Sequence, residues 1–300
     1  MALVVQANRA LDRIITSIGD LPASPAIVST LMSLTADINS SLNKICNAIM
    51  ADQSLTARVL KLSNSSFYGR AKEVYTLKEA IILLGFKTLR SLVVASSTHS
   101  LYKGVANQQF RDSLWEHTLA TALASRLTAQ AIDHPGYEEA FIAGLMHDIG
   151  KLVLMQKIPE QYQTVIVGAE ESGRSYVELE REILGFDHAE VGHLLLQKWA
   201  FPRLLVQAVA EHHAPRGENE IPLPLAFIVN LADTLARKAN MSVDNPPPDV
   251  PEVPAPALIL GLDQTRLREI IGALMVQFAG EKELYRASVE PDPTAGAIGA

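Results

Sequence analysis

A chain of 300 residues with 48% hydrophobic and 20% charged content has room for one large or two medium domains with a real core, which excludes a largely disordered protein. Its net charge of −7 comes with charges mixed along the sequence and no Lys/Arg-rich stripe, so nucleic acid is not expected as the primary partner. Cys46 is the single cysteine, which excludes an internal disulfide and thiolate metal motifs and fits a reducing cytoplasm.

Residues Met1 to Gln6 carry a short apolar stretch with no leading basic segment and no cleavage pattern, and they read as the start of an amphipathic helix. No apolar run approaches the roughly 20 residues of a membrane helix, so a soluble protein with no membrane partner is expected. Apolar residues recur at helical spacing and hairpin signals are scarce, which predicts an all-α fold. Predicted helices cover 6–18, 25–36, 41–51, 53–63, 77–84, 87–101, 109–132, 137–157, 160–172, 176–184, 188–199, 202–212, 224–239 and 265–285. Thr76 with Glu79 and Asp187 with Glu190 read as capping boxes. Pro22, Pro25 and Pro202 mark or open helices because they lack an amide to donate. Between Asn245 and Ala257 the proline spacing predicts an extended, non-helical connector that sets the last helix apart from the main body. The stretch from Pro291 reads as a disordered tail. Four segments follow: a helical module over 1–106, a second helical domain over 107–240, the connector over 241–257, and a last helix with its tail over 258–300.

Of the eight histidines, all but His99 lie beyond residue 110. His147 and Asp148 sit in Phe141-Ile-Ala-Gly-Leu-Met-His-Asp-Ile-Gly-Lys151, among apolar and very small residues. Burying an ionised Asp there costs several kcal/mol, roughly, unless a cation or strong donors meet it. A divalent metal would meet it, and the glycines would let a second helix bring further ligands close. His117 faces Ala120, Thr121 and Ala124, and His188 faces Val191 and Leu195, so both are placed inward. A hydrogen-bonded core histidine is the alternative for each. His193, between Glu190 and Gln197, is assigned to solvent. Asp233 lies on the Val229/Ala232/Ala236 side, with an exposed pair to Arg237 as its alternative. His212 and His213 are adjacent and point about 100° apart on a helix, so one metal would use one of them and two metals could use both. Imidazoles and carboxylates without thiolates suit one or two divalent ions of the Fe, Mn or Zn class, with Asp148 as the bridge.

The second half resembles the HD superfamily of metal-dependent phosphohydrolases, above all the HD-GYP cyclic-dinucleotide phosphodiesterases, through His147-Asp-Ile-Gly-Lys151. The resemblance implies metal ligands at His117, His147, Asp148, His188 (followed by Gly192), His212, His213 and Asp233. It implies Asp148 and Lys151 as catalytic groups in an enzyme, Lys151 contacting a phosphate. Two departures stand out: Ala214-Pro-Arg-Gly-Glu218 replaces the stretch leading to Gly-Tyr-Pro, and Ser113 stands where a third metal would need Glu. The first half is similar to the HDOD module over roughly 15–105, through Leu21-Pro-Ala-Ser-Pro25, Ala51 to Leu60, Ser63 to Gly69 and Glu79 to Gly85. This resemblance implies a bacterial signal-transduction protein in the cytoplasm, expected to be non-catalytic, with a retained metal site and a protein partner. The alternatives are a phosphodiesterase or phosphohydrolase acting on a nucleotide or cyclic dinucleotide, and a scaffold with no metal. In the first half Arg58, Lys61, Asn64, Tyr68 and Arg90 are candidates for a binding surface, with helix solubility and turn chemistry as the alternative. Leu55, Val59, Leu62, Ile81, Leu84, Leu89 and Val93 are read as core.

Overall fold

The computed structural model describes residues 42–51, 74–102, 107–216, 224–242 and 251–287, together with residues 30, 34, 55, 56, 59, 60, 63, 64 and 105. The predicted helix 6–18, most of 25–36, Arg58, Lys61, Leu62, Tyr68, most of the connector and the tail from Pro291 lie outside the described residues.

All regular structure among the described residues is helical. In chain order the helices are α1 (Leu42–Met50), α2 (Leu77–Leu101), α3 (Gln108–Ala131), α4 (Tyr137–Met146), α5 (Ile149–Lys157), α6 (Pro159–Ser172), α7 (Tyr176–Ile183), α8 (His188–Lys198), α9 (Arg203–Glu211), α10 (Pro224–Lys238), α11 (Ala255–Ile259) and α12 (Gln264–Ala287). The Thr76/Glu79 box opens α2: Glu79 N donates to Thr76 Oγ1 at 3.2 Å and Thr76 N donates to Glu79 Oε2 at 3.1 Å. The predicted break between 84 and 87 falls on Gly85, whose φ of 74° lies in the left-handed region that glycine tolerates without a Cβ clash.

α1 and the first half of α2 share a small core of Ile45, Ile49, Leu55, Val59, Ile81, Leu89 and Val93. The main core surrounds α3, which packs on α4, α10 and α12. Its run Leu119-Ala-Thr-Ala-Leu-Ala-Ser125 is buried throughout, and the small side chains let several helices close on it at once. α4 crosses α3 at Gly144, where a Cβ would lie 2.5 Å from Ser125 Oγ and 2.8 Å from Thr121 O. α5 meets α8 at Gly150, where a Cβ would lie 1.9 Å from His188 O.

Three expectations are corrected. The predicted helix 137–157 is two helices, because the chain leaves helical geometry at Asp148, with φ −100° and ψ 11°. The connector ends in a helical turn at Ala255–Ile259, with Pro254 as its N-cap and Pro256 in its first turn, positions where the missing amide has no helical partner to lose. The last helix is not set apart from the body: α12 packs along α3, and Lys282 pairs with Glu116 at 2.6 Å.

The N-terminal helices are tied to this body by polar contacts at the start of α4. Arg90 pairs with Glu139, Thr88 donates to Glu138 at 3.3 Å, and Lys87 donates to Pro135 O at 3.4 Å. Asn64 bridges the chain to Val74 through both its amide groups. Arg90 and Asn64 are therefore engaged in internal contacts, Asn64 in a local turn and Arg90 in an ion pair between helices. Glu138 also accepts from Arg126 at 2.9 Å, both side chains buried, and Glu281 of α12 is buried against this pair.

Gly150→Ala is expected to destabilise the protein by about 3 kcal/mol, because backbone must move to admit the methyl group. Gly272→Ala, at an open position of α12, is expected to stabilise it by about 0.5–1 kcal/mol. Urea unfolding of the two variants checks both. Burial pushes the Glu281 carboxyl up to about 7, Arg126 opposing and Glu138 adding. With the folded value above the unfolded one, the stability it contributes is full below about pH 4.5 and lost as pH rises through about 7. Glu281→Gln is thus expected to match wild type at low pH and to exceed it increasingly up to neutrality, by up to about 3 kcal/mol, in melting curves across that range.

Candidate metal centre

The break between α4 and α5 places His147 and Asp148 at a helix junction facing the C-terminal ends of α9 and α10 and the first turn of α8. The first turn of α8 is fixed by Asp187, which accepts from Glu190 N at 3.0 Å and is itself held by Arg181 at 2.8 Å. Contact at Gly150 then brings His188 against Asp148, with His188 Nε2 3.1 Å from Asp148 Oδ1. His147 Nε2 lies 3.3 Å from Asp148 Oδ2, His117 Nε2 3.7 Å from Oδ2, and His212 Nε2 3.8 Å from Oδ1. His213 Nε2 stands 2.8 Å from His188 Nε2.

Four of the rings are anchored by Nδ1, each on a partner that can only accept or is charged. His117 Nδ1 meets Met241 O at 2.8 Å, His147 Nδ1 meets Gly144 O at 2.7 Å, and His212 Nδ1 meets Val209 O at 2.7 Å. His188 Nδ1 meets Glu180 Oε2 at 2.6 Å. An acceptor at Nδ1 places the proton there and leaves Nε2 to face the cluster, which is how metal-binding imidazoles are held. Two residue groups could each hold an ion: Asp148, His188, His212 and His213, and His117, His147 and Asp148. Asp148 belongs to both. His212 and His213 fall in the same group, because the chain leaves α9 at His212 and a turn carries His213 round beside it.

Two buried polar atoms of this cluster, Asp148 Oδ1 and His212 Nε2, have no hydrogen-bond partner. Such orphans are costly, and a cation between them would satisfy both. The donor set, imidazole and carboxylate, fits one or two divalent ions. Burial works against ionising Asp148, yet His147 and then Lys151 hold its carboxyl well below the ordinary value. Lys151, itself buried, donates to Asp148 Oδ2 at 2.8 Å. Burial works against charging His188 too, but Glu180 lifts it to about 9. Burial above all keeps His212 and His213 far below theirs, so both are neutral donors.

Asp233 belongs to neither of the two residue groups, although it touches both the cluster and Arg237. Its Oδ1 lies 3.2 Å from His117 Nε2, and Arg237 binds it through two hydrogen bonds of 3.0 and 2.9 Å. The pair is buried on the Asp233 side, not exposed as the alternative supposed. His193, expected in solvent, is half-buried, with its Nδ1 enclosed and without a hydrogen-bond partner. Ser113 is exposed and stands apart from the cluster.

Glu180 was not singled out from sequence. It is fully buried, accepts from the amide and the ring of His188, and receives the hydroxyl of Tyr162 at 2.7 Å. Beside the cluster a cavity of about 290 Å³ is lined by Lys151, Tyr176, Arg181, His188, His213 and Arg237, among others.

An all-helical fold with an ordered His/Asp cluster at a His-Asp helix break is the architecture of HD-like proteins. The pattern of the HDOD domain matches residues 21–215, so the chain belongs to the HDOD family. A protein of unknown function with an HDOD domain from Geobacter sulfurreducens superposes with a TM-score of 0.81 at 21% identity, covering 94% of this chain and 98% of that one. A candidate phosphohydrolase from Shewanella amazonensis superposes with a TM-score of 0.71 at 25% identity, covering 92% and 98%. The chain is also 25% identical over 234 residues to an uncharacterised protein of Treponema pallidum (strain Nichols), which is 77% of this chain and 45% of that protein. It thus spans less than half the length of this curated relative. Among the described residues no helix is long and apolar enough to cross a membrane.

Glu180→Gln is expected to cost about 3 kcal/mol, since it leaves the buried His188 without its counter-charge. Tyr162→Phe removes one hydrogen bond and is expected to cost about 1.5 kcal/mol. Urea denaturation at neutral pH measures both, and equal small losses would count against Glu180 as the group that holds His188.

Proposed function

We propose that this protein is a cytoplasmic signal-transduction protein whose HD-like half holds one or two divalent cations of the Fe, Mn or Zn class without turning over a substrate. In this reading residues 107–240 carry the metal centre as a structural or ligand-sensing element. Residues 1–106 form the module that meets a protein partner, and the segment after the connector braces the body through α12. The observation that carries the reading is the set of four imidazoles anchored at Nδ1 with Nε2 turned to Asp148, whose Oδ1, 3.1 Å from His188 Nε2, accepts no well-formed hydrogen bond. Asp148 would bridge, with His188, His212 and His213 on one side and His117 and His147 on the other. Asp233 would join beside His117 once Arg237 releases it. The free buried thiol of Cys46 supports a reducing compartment. The replacement of the Gly-Tyr-Pro stretch after His213 supports a site without turnover of cyclic dinucleotides.

The second reading is a metal-dependent phosphohydrolase, favoured by the cavity that opens on His188 and His213 and by the likeness to the Shewanella protein. Bound cations would then supply Lewis-acid polarisation of a phosphoryl group. Lys151, poised between Asp148 and the cavity, would orient the ester oxygen and neutralise its charge.

Elemental analysis of protein purified anaerobically, wild type beside Asp148→Ala, tests the proposal. Near-stoichiometric metal in the wild type, with loss of most of it in the variant, is the expected result, and a metal-free wild type overturns it. Hydrolysis of a phosphodiester or phosphomonoester panel by the metal-loaded protein, abolished in both His147→Ala and Asp148→Ala, would instead establish the second reading.

A further inference from the structure

The two long sides of α12 differ in kind. Leu267, Ile270, Leu274, Phe278 and Glu281 recur at helical spacing and are buried against the body. On the opposite side Gly272, Met275, Val276, Ala279 and Gly280 are exposed, Val276 by 76% and Met275 by 54%. From Ile270 to Gly280 the helix carries no charged residue at all. The outward side of a surface helix is ordinarily polar, so an apolar one that runs for about three turns marks a contact surface. Nothing inside the chain calls for its two glycines. A Cβ at Gly272 or Gly280 would meet no atom within 4 Å, and neither residue has a positive φ. Each nonetheless costs the helix about 0.5–1 kcal/mol relative to alanine. Bare backbone at these positions is what a second helix needs in order to come down close on α12.

We propose that the outward side of α12 is the seat of a second copy of this chain, the two α12 helices packing antiparallel about a two-fold axis near Met275. The pattern of the face selects this occupant. Residues seven apart fall along one line of a helix. One line holds Gly272 and Ala279, a second holds Arg268, Met275 and Lys282, and both are centred near Met275. A helix laid antiparallel across the face about that point meets each line with the same line reversed. Gly272 then lies opposite Ala279, Met275 opposite its own counterpart, and Arg268 beside the Lys282 end. The charges at the two ends agree with this. Arg268 is 71% exposed and pairs with Glu252 at 3.5 Å, while at the Lys282 end α3 presents Glu116, bound to Lys282 and still 37% exposed. Arg268 of each copy thus reaches a carboxylate of the other. An unrelated partner would need no such two-fold match. Apposing this stretch of α12 to its twin covers on the order of 500 Å² per chain, at the low end of specific interfaces, so the dimer is a reversible one.

The experiment is sedimentation velocity on the full chain over about 1 to 200 µM, and the wild type is expected to pass from monomer to dimer with a Kd of about 10 µM. Val276→Glu changes a side chain that is 76% exposed, so the monomer folds as before, and the Kd is expected to rise about tenfold or more. Gly272→Ala places a methyl group between the helices and is expected to raise the Kd about threefold while stabilising the dilute monomer. Those opposite signs do not arise if the glycine serves the monomer alone. Arg268→Glu is expected to weaken the dimer about threefold, and adding Glu116→Lys to it is expected to recover most of the loss. A wild type that stays monomeric over the whole range, or a dimer that Val276→Glu leaves unchanged, overturns the inference. A monomeric wild type that floats with phosphatidylglycerol vesicles, where Val276→Glu does not, also overturns it and assigns the face to a lipid surface.

Discussion

The burial of Asp148 is the constraint around which the second half of the chain is arranged. An ionised carboxylate with almost no exposure must be met by charge or donors on every side. Three helix ends and one lysine supply them. The end of α4 brings His147, the start of α8 brings His188, the end of α9 brings His212, and Lys151 reaches back from the first turn of α5. Backbone contact at Gly150 sets the distance between α5 and α8, and with it the position of His188 relative to the carboxylate. A larger residue at that one position would move α8 and His188 with it.

Charge around the centre is balanced in layers. His188, lifted by Glu180, stands as a cation between two carboxylates, and Tyr162 closes the outer side of Glu180. His212 and His213 remain neutral beside it; His213 Nε2 faces the His188 ring at 2.8 Å, and His212 Nε2 has no hydrogen-bond partner. Without a bound ion, the carboxylates of the cluster are met by Lys151, Arg237 and the charged His188.

Much of this was legible in the sequence, and the parts that were not have physical reasons. Helix existence followed from apolar spacing, and the break at Gly85 followed from the interruption of that spacing. His147-Asp148, His188 and His117 stood out because titratable residues among small and apolar neighbours demand compensation. Glu180 did not, because Tyr176-Val-Glu-Leu-Glu-Arg-Glu-Ile183 reads as a helix with a charged outer face. Its burial comes from Tyr162 and His188, which belong to other helices. The break at Asp148 was equally hidden, since no proline or capping pattern interrupts the run from 137 to 157. Asp233 shows a different limit: local spacing offered a pair with Arg237, inward patterning offered the cluster, and the structure contains both contacts at once.

The position of α4 links the two halves of the chain. Its first turn carries Glu138 and Glu139, which bind Thr88 and Arg90 of α2, and His147 caps its far end. A helix of 10 residues spans about 15 Å and is stiff over that length, so its two ends cannot shift independently. Gly144 presses it onto α3 in between, where a lateral move would collide with Ser125 and the backbone at Thr121. A rotation or slide of α4 is thus confined to a direction that moves the polar junction and the His147 ring together. Arg126 reinforces this by holding Glu138 from α3 while stacking on Phe141, one turn further along the same helix. The polar contacts of Thr88 and Arg90 are therefore contacts on the element that carries the first half of the His-Asp pair.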